Sequence, residues 1–264
     1  MLLRRTAAAG IALLAAACST QLPAPTLTAA PSAAAPLDSY ARVLQRYVDE
    51  RGRTDFQGVA RDRAPLDDYV AYVYRTSPEN NPEQFPTQDA RLAYYLNSYN
   101  ALAMYNVVQS GIPASLSGLK KVGFFYFTDV KVGDKTMSLY DYENDVIRQQ
   151  GEERVHFALN CMAAGCPRLP RYPFPSENLD AELDKQAHFF FSESRNLRVD
   201  PDKKTVYVSE ILSFFTKDFL KKKPTLIAYI NQYASPPIPD DYKVEFIPYD
   251  WTINNQPKNL TASN

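Results

Sequence analysis

Two thiols, an imidazole and an amide fall close together in the run His156-Phe-Ala-Leu-Asn160-Cys161-Met-Ala-Ala-Gly165-Cys166-Pro167. Such a set can do three kinds of chemistry. In the first, Cys161 or Cys166 is a nucleophile, His156 its base, and Asn160, Glu143 or Asp250 the group that orients the imidazole. The reaction class would be acyl transfer, or hydrolysis of an amide or thioester. A thiolate forms at neutral pH only beside an imidazole, a helix N-terminus or a cation, and Arg148 and Arg168 are candidate cations. In the second, Cys161 and Cys166 pair as a disulfide, provided a turn brings their Cα atoms within ~4.4–6.8 Å. The third, zinc held by His156, Cys161 and Cys166, lacks a fourth ligand and an acidic neighbour for the histidine, so neither a metal nor a cofactor is expected.

These side chains need elements to hold them. Residues 155–159 alternate Val155, Phe157 and Leu159 against His156 and Ala158, which predicts a half-buried strand with His156 and Asn160 on one face and Cys161 opening the loop at its end. Upstream, Leu92, Tyr95, Leu96, Tyr99, Leu102 and Ala103 recur at helical spacing between a start at Pro86-Thr87 and a stop at Gly111 and Pro113. Apolar residues on its other side make this the buried central helix. Asn97 and Asn100, one turn apart on it, are then buried amides in need of partners, suited to orienting the loop. Earlier helices are predicted at residues 40–50 and 66–74. Residues 122–132, rich in Phe, Tyr and Val, read as a strand turning at Gly133-Asp134. Ser138-Leu-Tyr-Asp141 is a capping box opening a helix to about Gln150. A helix through Leu179 to Phe190, a hairpin over 197–208, short helices over 209–220 and a last strand at 244–247 complete the order. Without regular βαβ alternation, the fold class is α+β: a single domain whose buried central helix packs against a small mixed or antiparallel sheet.

The N-terminus speaks to location. Arg4 and Arg5 precede an apolar run too short to span a bilayer, and Ala15-Ala16-Ala17 precede Cys18. This is the pattern of a lipoprotein signal peptide over residues 1–17, with Cys18 as the lipid attachment site. Diacylation on sulfur and acylation on nitrogen would give stable anchoring where one chain would not. Ser19 is no retention aspartate, so the bacterial outer membrane, facing the periplasm, is expected, and the membrane is a partner through lipidated Cys18. Residues 18–36, built from Ala, Pro, Ser and Thr, read as a flexible tether. Residues 37–257 form the globular domain, and 258–264 a tail. With Cys18 acylated, two thiols remain in an oxidising compartment, and this even parity favours the Cys161–Cys166 disulfide over catalysis. A net charge of −1 gives no case for nucleic acid. The 18 Tyr and 14 Phe are read as core-edge residues in preference to a binding platform. His188 and the lysines 221–223 read as solvated or packed helix residues.

Taken with Leu92-Ala-Tyr-Tyr-Leu-Asn97-Ser-Tyr-Asn100-Ala101, Ser138-Leu-Tyr-Asp-Tyr-Glu143-Asn144 with Arg148, Ser209, Asp218-Phe219 and the closing Tyr249-Asp250-Trp251-Thr252-Ile253-Asn254, the cysteine loop resembles the domain of unknown function 547 family over residues 85–255. That resemblance implies no activity. It implicates Asn97, Asn100, Glu143, Asn144, Arg148, His156, Cys161, Cys166 and Asp250, and agrees with export, since bacterial members are often lipid-anchored. Two positions depart from the family's pattern: Met162 stands where glycine is usual, and Gly165 where serine is usual.

The expected molecule is a lipid-anchored periplasmic domain. Its site has His156, Cys161, Cys166 and Glu143 as catalytic candidates, with Asn97, Asn100, Asn144, Arg148, Asn160 and Asp250 as binding or supporting residues. A Cys/His-dependent hydrolase or acyltransferase acting on a small molecule or peptide is one reading. A non-catalytic binding or scaffold lipoprotein with a structural disulfide is the other, its protein partner unspecified.

Overall fold

A computed structural model describes residues 19–25 and 36–257. The signal peptide, Cys18 and the tail from 258 lie outside the described residues. In chain order the elements are β1 (Thr20–Gln21), α1 (Pro36–Tyr47), α2 (Phe56–Arg61), α3 (Ala64–Val73), α4 (Gln88–Gln109), α5 (Leu119–Val122), β2 (Thr128–Val132), β3 (Lys135–Ser138), α6 (Leu139–Asp141), α7 (Leu179–Ser192), β4 (Leu197–Asp200), β5 (Thr205–Ser209), α8 (Ile211–Phe214), α9 (Thr216–Leu220), α10 (Leu226–Ile230) and β6 (Lys243–Ile247). The architecture is α+β.

The central helix α4 starts where its sequence says it should: the Thr87 hydroxyl accepts from the Ala90 amide at 3.0 Å, satisfying a first-turn donor. It ends at Gly111, whose φ of +75° is the left-handed conformation that glycine adopts without steric cost. From Leu92 to Val108 every residue is buried. Its main neighbours are α2, α3, α7 and the turn at Tyr142–Ile147.

One sheet has the order β1-β2-β3, with β1 parallel and β3 antiparallel to β2. The other has the order β4-β5-β6, with β4 antiparallel and β6 parallel to β5. Two apolar clusters result. The larger surrounds α4, and a second gathers Phe157, Phe190, Phe191, Val206, Val208, Leu212, Phe219 and Tyr229.

Four local expectations change. Thr20–Gln21 is a paired strand where composition predicts free tether: Leu22 is buried, its amide donates to the Asp129 carbonyl at 2.7 Å, and its own carbonyl accepts from the Tyr74 hydroxyl. Residues 26–35 lie outside the described residues. The strand predicted over 122–132 begins only at Thr128. Before it, α5 runs into a π-helical turn, Gly123–Phe127, that buries two consecutive rings, Phe124 and Phe125, as no alternating strand would. The helix opened by Ser138, which does cap Asp141, tightens and loosens through π and 3-10 turns as far as Gln150. The strand expected at 155–159 is a 3-10 turn, Glu153–Phe157. Both Ala158 and Leu159 donate to the Val155 carbonyl. The alternating pattern arises because the turn is wedged between cores, so neighbours face different apolar surroundings and none faces solvent.

Candidate functional site

Two asparagines on α4 shape the cysteine loop. Asn100 donates to the Ala158 carbonyl at 3.0 Å and accepts from the Asn160 amide at 2.7 Å. Asn160 in turn donates to the Pro167 carbonyl and accepts from the Met162 amide, closing the loop across its neck. Asn97 makes the same two-way contact with Phe174, one loop further on. All three amides are buried, and their bonds substitute for the ladder that a strand would have supplied.

The C-terminal segment pairs with the outside of this loop. The Ala164 amide donates to the Thr252 carbonyl, Gly165 to Asp250, and Asn254 to Met162. Gly165 permits the approach, since a Cβ there would lie 2.8 Å from the Asp250 nitrogen and 2.9 Å from the Tyr249 ring. Met162 takes a φ of +72°, a left-handed conformation that glycine adopts more readily than a side-chain-bearing residue.

The two sulfurs stand 2.9 Å apart as thiols sharing a hydrogen bond, so the expected disulfide is not formed. The loop turns both toward a third partner, the Tyr249 hydroxyl, 2.9 Å from Cys166 Sγ and 3.3 Å from Cys161 Sγ. The Cys161 amide also donates to Cys166 Sγ, at 3.1 Å. Burial alone would raise the Cys166 thiol, but donation from the Cys161 thiol, the Tyr249 hydroxyl and backbone amides outweighs it and lowers its pKa. Cys161, the donor to that sulfur and itself buried, is pushed well up. Burial likewise keeps Tyr249 protonated.

His156 lies against this pair across a small pocket. Its Nε2 is 3.0 Å from Asp218 Oδ2, its ring stacks on Phe215 at 3.8 Å, and its buried Nδ1 has no hydrogen-bond partner among the described residues. A carboxylate can only accept, which places the proton on Nε2 and leaves Nδ1 a free acceptor. Burial lowers the imidazole's pKa despite Asp218, keeping it neutral. Asp218 is held far below the usual carboxylate range by hydrogen bonds from His156, Arg148 and Lys221.

Glu143 completes the polar set. Its Oε2 accepts from the Tyr99 hydroxyl at 3.0 Å, and burial, opposed by that bond and by the Arg148 charge, pushes its pKa up to about 7. Tyr99, Glu143, His156, Cys161, Cys166 and Tyr249 line a pocket of about 90 Å³ with apolar walls that include Phe125, Phe215 and Trp251.

The structure thus brings His156, Cys161, Cys166 and Glu143 to one pocket, and sets Asn97, Asn100 and Asn160 behind it. Asn144 and Arg148 bond each other, and Arg148 reaches Asp218, one step from the imidazole. Asp250 turns away: its carboxylate caps Thr252. The orienting acid is Asp218, which composition and spacing did not single out beyond its place in the family pattern. Tyr249 and Tyr99 went equally unmarked as site residues. His188 sits on the surface against Tyr233, away from the pocket. Among the described residues, no cluster of metal-ligating side chains is found.

Compared with known proteins, residues 82–191 match the family described as "Protein of unknown function, DUF547". No curated protein and no solved structure matches the chain.

Proposed function

We propose, from the site's geometry, that the protein is a thiol-dependent hydrolase or acyltransferase with Cys166 as nucleophile; the family that residues 82–191 match is named for no activity. The observation that carries this reading is the set of groups around Cys166 Sγ: a backbone amide that donates to it, and a thiol and a phenol each placed to do so, all between 2.9 and 3.1 Å. Three donors to one buried sulfur favour its anion, and a buried thiolate facing a cavity is a nucleophile.

The Cys166 thiolate attacks the carbonyl carbon of a thioester or amide, a C–S bond forms, and the bond to the leaving sulfur or nitrogen breaks. Glu143, whose pKa burial raises and which lines the same pocket, hands its proton to that leaving group. Water, or an acceptor amine or alcohol, then attacks the acyl-cysteine while His156 Nδ1, aligned by Asp218, takes its proton. The Cys166 thiolate departs, the acyl group is released, and the proton that His156 gained is lost to solvent while Glu143 regains one from it. A cavity of about 90 Å³ is below the ~300–1,000 Å³ of a drug-sized ligand site. It admits the reacting end of an acyl group or peptide, with the remainder outside.

The same reading places the domain in the bacterial envelope, anchored through lipidated Cys18 at the outer membrane. Support comes from the basic, apolar and small-residue order of residues 1–18. Among the described residues, no helix is long and apolar enough to cross a membrane.

The test is alkylation rate against pH, read by mass spectrometry for each cysteine, with Cys166→Ser and Cys161→Ser chains beside the unaltered one. Cys166 is expected to label below the ordinary thiol pKa of ~8.5, and Cys161 slowly at any pH. In thioester and amide libraries, Cys166→Ser is expected to reduce turnover to background. Equal, slow labelling of both thiols, or full turnover by Cys166→Ser, refutes the reading.

A further inference from the structure

Residues 119–140 carry Leu119, Val122, Tyr126, Phe127 and Tyr140, five of the ten large apolar side chains exposed on the described surface, with Leu119 at 91 %. Tyr126 and Tyr140 form the centre of a patch, their rings 4.5 Å apart with Phe127 beside them in sequence, and α5, with Leu119 and Val122, leads without a break into the same π turn. Lys120 is exposed on the same helix, and Lys121 Nζ sits 3.8 Å over the Trp251 ring.

Strand β1 begins beside this patch. It runs parallel to β2 with Thr20 opposite Thr128 and Gln21 opposite Asp129, and the Ser19 hydroxyl bonds the Asp129 carboxylate at 2.6 Å. Ser19 and Phe127 are therefore the residues that enter these neighbouring strands, which lie ~4.8 Å apart. Cys18 is covalently joined to Ser19, within ~3.8 Å from Cα to Cα. By the anchor reading, the acylated residue is thus the immediate sequence neighbour of Ser19.

We propose that this patch is a membrane-seating face: Tyr126, Phe127 and Tyr140 insert at the bilayer interface beside the acyl chains of Cys18, fixing the domain's orientation on the membrane. The proposal rests on the lipid-anchor reading given above. Tyrosine suits the interface because its ring is apolar and its hydroxyl reaches the headgroup layer, and lysines beside it suit anionic headgroups. Acyl chains held next to the patch bring the bilayer to it at high local concentration, so modest interfacial affinity suffices. Phe125 belongs to the same turn and lines the pocket. Seating would therefore hold the reacting thiol near the membrane surface, where the accessible substrates are acyl groups and peptides at the interface.

The experiment is hydroxyl-radical footprinting of the full chain in mixed phosphatidylethanolamine and phosphatidylglycerol vesicles, read by mass spectrometry, which also reports the mass of the N-terminal peptide. Severalfold protection of Tyr126, Phe127 and Tyr140 is expected relative to a Cys18→Ser chain in solution. A Tyr126→Ser, Phe127→Ser double variant, checked for an unchanged melting curve, should restore labelling of Tyr140 on vesicles. Equal labelling on and off vesicles overturns the proposal. So does protection of the soluble Cys18→Ser chain at a dimer's mass, which would assign the patch to a second copy. An N-terminal peptide without acyl mass defeats the anchor reading separately. In that case the patch proposal stands or falls on whether vesicles added to the unacylated chain protect the three residues.

Discussion

At Cys166 the proposed activation rests on three groups within hydrogen-bond reach of the sulfur: the Cys161 thiol, a backbone amide and the Tyr249 hydroxyl. The Tyr249 hydroxyl is one of three donors on that sulfur, and a hydrogen bond to a charged group contributes about 1.5–3 kcal/mol. Tyr249→Phe should therefore raise the Cys166 thiol pKa by about 1–2 units, read as a shift in the alkylation profile with little change in fold. Glu143 makes the opposite kind of prediction. Its pKa rises from 4.5 to about 7 on folding, so between those values the folded state binds more protons than the unfolded one. Stability then falls as pH rises across that window. Glu143→Gln should flatten this slope and gain about 1–3 kcal/mol at pH 8, measured by urea unfolding across pH. An unchanged slope would mean that the carboxyl is solvated in the folded chain. The cysteines, His156 and Glu143 were legible as a set because they carry reactive groups. Tyr249, Tyr99 and Asp218 were not, because phenols and acids are numerous and nothing local marks the one that a fold brings to a distant sulfur or imidazole.

The elements behave differently when their signals are local. Thr87, Gly111 and the Gly133 turn gave the ends of α4 and the β2–β3 hairpin, since caps and turns are settled by a few neighbouring residues. The stretch at 153–157 misled for an equally physical reason: between two apolar clusters both sides of a 3-10 turn are buried, and burial on two sides imitates alternation. The asparagines on α4 test how this turn is held. Asn100→Ala leaves the Ala158 carbonyl and Asn160 amide without partners, at about 1–3 kcal/mol for each buried group. Asn97→Ala does the same at Phe174. Both should lower the urea midpoint by comparable amounts, but Asn100→Ala alone should slow Cys166 alkylation, since only its bonds set the cysteine loop. Equal alkylation in the two variants would show that the loop keeps its shape without α4.

Over the whole molecule, the pocket lies along the seam of the two clusters. Phe125, Leu159 and the cysteines come from the larger, Ile211 from the smaller, and Tyr249 packs on both. The α+β class and buried helix were readable from element order, whereas the division into two sheets was not, because β5–β6 and β1–β2 are parallel pairings between segments far apart in sequence. Residues 249–255 stitch the seam, reaching the cysteine loop, Ser115 and Thr54. A chain ending at Pro248 should keep most of its helical circular dichroism yet lose low-pH labelling of Cys166. Retained labelling would mean that the remaining donors suffice. The stitch also has a temporal meaning. Synthesis proceeds from the N-terminus, so the helix, the histidine and both thiols emerge before the tyrosine that contacts both sulfurs. Under the proposed mechanism a partly made polypeptide would carry a dormant sulfur, and reactivity would arrive only once residues 249–255 had paired with the cysteine loop.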